Sequence, residues 1–212
     1  MVNRLPVLPE GVWPWRCPTE AWTMGTVAEL RPTRGALEMR AVVVYESMFG
    51  NTHVVANHVA AGLASAYEVS VVPVHDATAD LLDGVDLLVV GGPTHIHGMT
   101  SERSRATAVE TAAKPESGVE LDPDAEGEGL RDWFDDLPEL HHVRAAAFDT
   151  RIGSVAPIMS GRASKGIARR LRRHGVDLIA EPESFLVDAD NHLIEGEADR
   201  ATAWASTVAT AT

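Results

Sequence analysis

Apolar and polar residues follow one another along most of the chain in a pattern that predicts alternating strands and helices. Helical spacing predicts helices at about 52–65, 161–174 and 196–210, with a more polar helix at about 101–113 and a short one from Leu130 to Leu137. Runs rich in valine, leucine, isoleucine or alanine predict five strands, at 40–46, 68–74, 86–91, 143–149 and 177–187. This alternation predicts an α/β fold, a doubly wound parallel sheet with helices on both faces.

Two segments depart from the alternation. Residues 1–38 hold three of the five tryptophans but show no sustained helical or strand period. We interpret them as a poorly structured N-terminal extension of a domain at 39–212, and the alternative is an arm that covers a site or binds a partner. The second segment is an insertion at about 99–140, whose loop at 119–129 is acidic without a basic residue and is predicted to be mobile.

Charge and composition narrow the classes of function. The formal net charge of -13 argues against binding to nucleic acid or to an anionic membrane, and it favours basic protein partners. No apolar run approaches the roughly 18 residues that a membrane-spanning helix needs, so we expect no membrane span. Cys17 is the only cysteine, which excludes an internal disulfide and indicates a cytoplasmic protein.

The junction between the first strand and the first helix carries the strongest chemical signal. Ser47, Gly50, Asn51 and Thr52 follow the strand directly, so hydroxyl and backbone N–H groups converge at the start of a helix. The junction has neither the Gly-Lys-Ser/Thr ending of a P-loop nor a G-x-G-x-x-G fingerprint. It therefore predicts a site for one phosphate monoester. The structural alternative is that Ser and Asn only cap the helix.

Two further segments are expected at the same edge of the sheet, because ligands of open α/β sheets bind beyond the carboxyl ends of the strands. One is 91–98, which follows the third strand, and the other is 149–154, which follows the fourth. His95 and His97 have a spacing that suits a metal ion, but this loop offers no third ligand. We interpret them as ordinary loop histidines and predict no metal site.

These motifs resemble those of the flavodoxins and flavodoxin-like proteins. Residues 42–65 are similar to the opening of that family, whose phosphate loop ends in Thr/Ser-Gly-Asn-Thr, here 49–52. Residues 92–94 are similar to the family's Gly-Ser/Pro-Thr turn beside the isoalloxazine ring. The resemblance covers roughly 40–210 and implies a flavodoxin-like sheet of five parallel strands in the order 2-1-3-4-5, with FMN at the switch point. By position, it implies FMN contacts for Ser47, Met48, Phe49, Gly50, Asn51, Thr52, Gly92, Pro93, Thr94, His95, Asp149, Thr150 and Arg151.

The resemblance further implies an FMN-binding redox protein, either an electron carrier or a small flavin-dependent reductase. The acidic loop 119–129 favours electron transfer with a basic redox partner. One departure concerns the ring, which short-chain flavodoxins commonly hold between tryptophan and tyrosine. The loops at 91–98 and 149–154 contain neither residue, which leaves His95 or His97 to stack on the ring. The alternative function is a flavodoxin-like binding or regulatory module that has lost its flavin.

Overall fold

The computed structural model describes residues 39–95, 98–155 and 161–211. The interpretation of residues 1–38 and the stacking candidate His97 lie outside this range and stay predictions. The strands are β1 (Arg40–Tyr45), β2 (Glu68–Pro73), β3 (Leu87–His95), β4 (Gly98–Met99), β5 (Arg144–Ile152), β6 (Asp177–Leu178) and β7 (Glu183–Val187). The α-helices are α1 (Asn51–Leu63), α2 (Ala79–Leu82), α3 (Glu102–Ala112), α4 (Leu130–Asp136), α5 (Ala163–Arg173) and α6 (Glu197–Thr210).

The strands form the predicted doubly wound sheet, with the order β2-β1-β3-β5-β6 and parallel pairing along this path. This order confirms the predicted flavodoxin-like fold. Strand β2 lies at the edge, where the missing N–H of Pro73 interrupts no inner ladder. Among the described residues, no helix combines the length and the apolar character that crossing a bilayer would require.

Two strand predictions need correction. The fifth predicted strand, 177–187, is two strands, β6 and β7, which pair with successive parts of β5. Residues 179–182 lie between them and end in Pro182, which has no N–H to give to a ladder. Strand β3 is longer than predicted, because it stays in register with β5 as far as the pair Pro93–Thr150. A short antiparallel strand, β4, then pairs with its end.

Both faces of the sheet are covered by helices, as predicted. Helix α1 buries Val55, Val59 and Leu63 completely, at the four-residue spacing seen in the sequence. These side chains share a core with α6 on one face, while α4 and α5 pack on the other. The layers direct the carboxyl ends of β1, β3 and β5 toward one edge of the sheet.

Glu46 binds the insertion at two places, its start and the beginning of α4. Glu46, directly after β1, is buried, and its carboxylate accepts a hydrogen bond from the hydroxyl of Thr100. The other carboxylate oxygen accepts the N–H of Leu130 at 2.9 Å, at the start of α4. Arg131 donates to the carbonyl oxygens of Met99 and Thr100 at 2.8 and 2.5 Å. Glu46, at the end of β1, therefore holds the insertion at its start and at the beginning of α4.

Candidate functional site

A cleft of about 240 Å³ opens at the carboxyl ends of β1, β3 and β5. The predicted site residues that line it are Ser47, Met48, Phe49, Asn51, Thr52, Pro93, Thr94, His95, Thr150 and Arg151. Gly50, Gly92 and Asp149 are not among its lining residues. All three predicted segments thus contribute to one cleft, although not every predicted residue faces it.

The first wall of the cleft is the turn from β1 into α1. Gly50 precedes the helix with a φ of +88°, in the left-handed region that glycine adopts without strain. Its N–H donates to the hydroxyl oxygen of Ser47 at 3.1 Å, which closes the turn. Ser47 and Thr52 are buried, with 1% and 2% of their surface exposed.

The start of α1 offers hydrogen-bond donors that the protein itself does not use. The backbone N–H groups of Asn51, Thr52 and His53 find no acceptor within the described part of the chain. Such N–H groups at a helix N-terminus, with the partial positive charge of the helix dipole, favour an anion. The hydroxyl of Thr52 lies 2.8 Å from that of Thr150, so two of the predicted segments meet at this point.

The side chain of Asn51 has a structural role that the sequence did not indicate. Its Nδ2 donates to the carbonyl oxygen of Asn191 at 2.8 Å, which ties α1 to the segment that follows β7. Asn191 has a φ of +64°, a conformation that asparagine tolerates better than most residues. Val187 and Asn191 also line the cleft, and no local motif marked them.

The second predicted segment is an extended strand and not a turn through Gly92. A β-carbon at Gly92 would lie 2.6 Å from Cδ1 of Leu130, so this glycine makes room for α4 and does not face the cleft. The hydroxyl of Thr94 accepts the N–H of Ala163 at 2.8 Å and helps to cap α5. Pro93 and the exposed His95 remain at the cleft.

In the third segment, neighbouring residues of β5 face different environments. Asp149 is fully buried, and its carboxylate accepts the N–H of Ser164 at 2.7 Å in the first turn of α5. The alternation of a strand sends the next residue, Thr150, to the opposite side. Thr150 and Arg151 reach the cleft, and Arg151 Nη1 donates to the carbonyl oxygen of Val155 at 3.1 Å.

Sequence reasoning missed the wall that the insertion contributes. Thr100 and one face of α3 line the cleft, and that face consists of Ser104, Thr107, Ala108 and Thr111. The three-to-four-residue spacing of these small residues was a signal in the sequence, since it places them on one side of a helix. Among the described lining residues, the aromatic rings are those of Phe49 and His95, and there is no tryptophan or tyrosine.

The acidic loop of the insertion, predicted to be mobile, packs against the turn that precedes α1. The N–H of Asp122 donates to the carbonyl oxygen of Met48 at 2.9 Å, and Asp122 is buried. Asp124 accepts a hydrogen bond of 2.7 Å from the hydroxyl of Tyr45. Burial raises the pKa of Tyr45 well above its usual value, and both the hydrogen bond to Asp124 and the nearby carboxylates raise it further.

The fold and the cleft define a class of protein, a doubly wound α/β protein with a ligand cleft at the topological switch point. A sequence model of the flavodoxin family matches residues 43–148, which is half of the chain. The chain therefore belongs to the flavodoxin family. No curated protein sequence matches it.

Solved flavodoxins share this fold at low sequence identity. A flavodoxin from the domain Archaea is 19% identical with a TM-score of 0.55, over 81% of this chain and 96% of its own. The Streptococcus pneumonia TIGR4 flavodoxin is also 19% identical with a TM-score of 0.55, over 81% of this chain and 99% of its own. A short-chain flavodoxin associated with a PDU bacterial microcompartment is 20% identical with a TM-score of 0.55, over 82% and 99% of the two chains.

Proposed function

We propose that the cleft binds FMN and that the protein is a flavodoxin-type redox protein, with electron carrier as the preferred role. Membership of the flavodoxin family supports FMN as the ligand, since members of this family typically bind it. The observation on which the proposal rests is the convergence of unused N–H groups at the start of α1 with the buried hydroxyls of Ser47 and Thr52. This donor set suits a single phosphate monoester.

The residues of the cleft fit the two ends of FMN differently. Ser47, Thr52 and the N–H groups of 51–53 would hold the phosphate, and Arg151 adds a positive charge to the lining. Pro93, Thr94 and His95 would contact the ring, as the family resemblance implies. When bound, FMN supplies redox chemistry in steps of one or two electrons. The protein contributes the binding, the orientation and the local charge.

The choice of a carrier over a small reductase rests on the surface charge. Glu120, Glu126 and Glu128 of the acidic loop are exposed, and the whole chain has a formal net charge of -13. Such a surface favours encounter with a basic redox partner and gives an association rate that falls with added salt. With a single cysteine and no internal disulfide, we propose that this exchange takes place in the cytoplasm.

A second function, a flavodoxin-like binding or regulatory module without flavin, has one observation in its favour. Within the described lining, the cleft lacks the tryptophan and tyrosine that commonly enclose the ring in short-chain flavodoxins. Phe49 and His95 would have to provide the stacking instead. This module would leave the donors at the start of α1 for another anion.

The two functions are separated by an absorption spectrum of the purified protein, followed by titration with FMN. We expect a yellow protein, or one that becomes yellow when FMN is added. Thr52→Val removes the hydroxyl but keeps the shape, and it should weaken FMN binding by about 1–2 kcal/mol, since a charge-assisted hydrogen bond is lost. Thr207→Val, on the exposed face of α6, is the matched control and should bind FMN as the parent does.

Each result has a distinct meaning. A parent protein that stays colourless at saturating FMN would support the flavin-free module and refute the redox proposal. A Thr52→Val variant that binds FMN as tightly as the parent would leave the redox proposal intact but would show that the phosphate lies elsewhere.

A further inference from the structure

Three side chains with metal-binding groups meet beside α1, and the FMN proposal does not involve them. They are His53 in the first turn of α1 and Asp122 and Asp124 in the acidic loop. One potential ligand atom from each lies within 4.8 Å of the others. The Nδ1 atom of His53 is 3.3 Å from Oδ2 of Asp122 and 3.8 Å from Oδ2 of Asp124.

The carboxylate of Asp122 is the most informative member of the cluster. Its side chain is only 1% exposed. Oδ1 accepts the N–H of Asp124 at 2.9 Å, whereas Oδ2 is buried and makes no hydrogen bond to any described group. A buried carboxylate oxygen without a hydrogen bond is costly unless a cation compensates it. This oxygen lies 3.3 Å from Nδ1 of His53, inside the cluster.

The surrounding residues hold the three groups in place. The ring of His53 stacks on that of Tyr45, with 4.5 Å between the ring centroids. The hydroxyl of Tyr45 donates to Asp124 at 2.7 Å, and the backbone of Asp122 is fixed by its hydrogen bond to Met48. Outer partners of this kind orient the ligands of a metal and raise its affinity.

We propose that His53, Asp122 and Asp124 form a binding site for a divalent transition-metal ion, with Zn²⁺ the best match. One imidazole nitrogen and two carboxylate oxygens are ligand types that Zn²⁺ uses, at bond lengths of about 2.0–2.2 Å. Such bonds place neighbouring ligand atoms of a tetrahedral site roughly 3.3–3.5 Å apart. The 3.3 Å between His53 Nδ1 and Asp122 Oδ2 already fits this geometry. The 3.8 Å between His53 Nδ1 and Asp124 Oδ2 needs to shorten by only a few tenths of an ångström.

The exposure of the cluster suits an ion that also keeps a water ligand. The side chains of His53 and Asp124 are 33% and 32% exposed, so the cluster opens to solvent on one side while Asp122 closes the other. The bound ion would join the acidic loop to the first turn of α1. It would therefore hold the insertion against the loop that faces the cleft.

The test measures Zn²⁺ binding to the full chain by equilibrium dialysis with elemental analysis, and thermal unfolding with and without Zn²⁺. The parent should bind about one ion per chain, with a melting temperature that rises with Zn²⁺ concentration. His53→Ala and Asp124→Asn should each weaken binding at least about tenfold, since even the loss of an outer partner costs that much. Asparagine at 124 still accepts the hydrogen bond of Tyr45, which preserves the local packing.

His192→Ala is the matched control. His192 is exposed, and its Nδ1 atom lies 3.8 Å from Oδ1 of Asp188. Among the described residues, no third potential metal ligand joins this pair. The His192→Ala variant should bind Zn²⁺ as tightly as the parent does. The proposal is overturned if the parent binds no Zn²⁺, if a variant that combines His53→Ala with Asp124→Asn binds as much Zn²⁺ as the parent, or if His192→Ala weakens Zn²⁺ binding as much as His53→Ala does. An ordinary ion pair between His53 and the two aspartates would give the first of these results, a parent protein that binds no Zn²⁺. None of these three outcomes depends on flavin, so the FMN proposal is tested separately.

Discussion

The turn from β1 into α1 and the insertion contribute to the same cleft, but they are built in different ways. The turn is local, since the hydrogen bond between Ser47 and Gly50 spans three residues and the following helix start supplies the free N–H groups. The insertion depends on distant contacts, because Glu46 binds Thr100 and Leu130 across 54 and 84 positions of sequence. The chemistry of the site is thus encoded locally, whereas the shape of its cover depends on long-range contacts.

The largest effect is expected from Glu46, because it connects these two regions. Glu46→Ala leaves the buried N–H of Leu130 and the hydroxyl of Thr100 without their acceptor. We expect a loss of about 2–4 kcal/mol in the free energy of unfolding, measured by urea denaturation, since each group keeps its desolvation cost. Glu46→Gln retains one acceptor oxygen and should lose less.

Glu116→Ala provides the control, because Glu116 is an exposed glutamate of the same insertion. The free energy of unfolding of the Glu116→Ala variant should stay within about 0.5 kcal/mol of the parent value. If Glu46→Ala is equally mild, the insertion does not need its anchor at β1. The contrast between a local turn and a tethered insertion would then be wrong.

The contrast also explains which predictions from the sequence hold. Strands and helices are predicted because their signals are local periodicities, as with the fully buried stripe of Val55, Val59 and Leu63. The strand order is not such a signal and is implied by the family resemblance. The two corrected strands depend on register with β5, which no local window contains. Three segments of the cleft are predicted because loops at the carboxyl ends of parallel strands share one edge of a sheet.

The residues that the sequence could not place are those whose partners are distant along the chain. Asp149 ends the predicted strand 143–149, where a ligand-binding residue is expected, yet its carboxylate accepts the N–H of Ser164 in the first turn of α5. Gly92 matches a family turn, yet it makes room for Leu130. In both cases the residue type agrees with the motif, and only the packing of a helix decides its role.

A smaller effect is expected at the contact between strand β3 and the insertion. A β-carbon at Gly92 would lie 2.6 Å from Cδ1 of the buried Leu130, so Gly92→Ala should force α4 to shift. We expect the free energy of unfolding, measured by urea denaturation, to fall by about 1–2 kcal/mol. This is the lower part of the range for overpacked cores, because the clash involves the end of a flexible side chain.

Gly98→Ala is the matched control, because a β-carbon there would meet nothing within 4 Å. Equal stabilities for the two alanine variants would mean that Leu130 moves freely, and that the insertion is attached more loosely than its contacts indicate.

The smallest effect concerns the contact between α3 and α4 inside the insertion, where Arg105 donates to Asp132 at 2.9 Å. This hydrogen bond lowers the pKa of Asp132, with burial opposing and the N–H of Gly129 assisting. The folded state holds the proton of Asp132 more weakly than the unfolded state does. The ionised carboxylate therefore contributes fully to the free energy of unfolding above the ordinary pKa of an aspartate, about 4. This contribution is lost as the pH falls through the lowered pKa. Since the side chain of Asp132 is 50% exposed, Asp132→Asn should lower the free energy of unfolding by less than about 1 kcal/mol at pH 7. Urea denaturation of both proteins should give curves that converge at acidic pH, and an equal gap at pH 7 and pH 2 would show that this charge does not join the two helices.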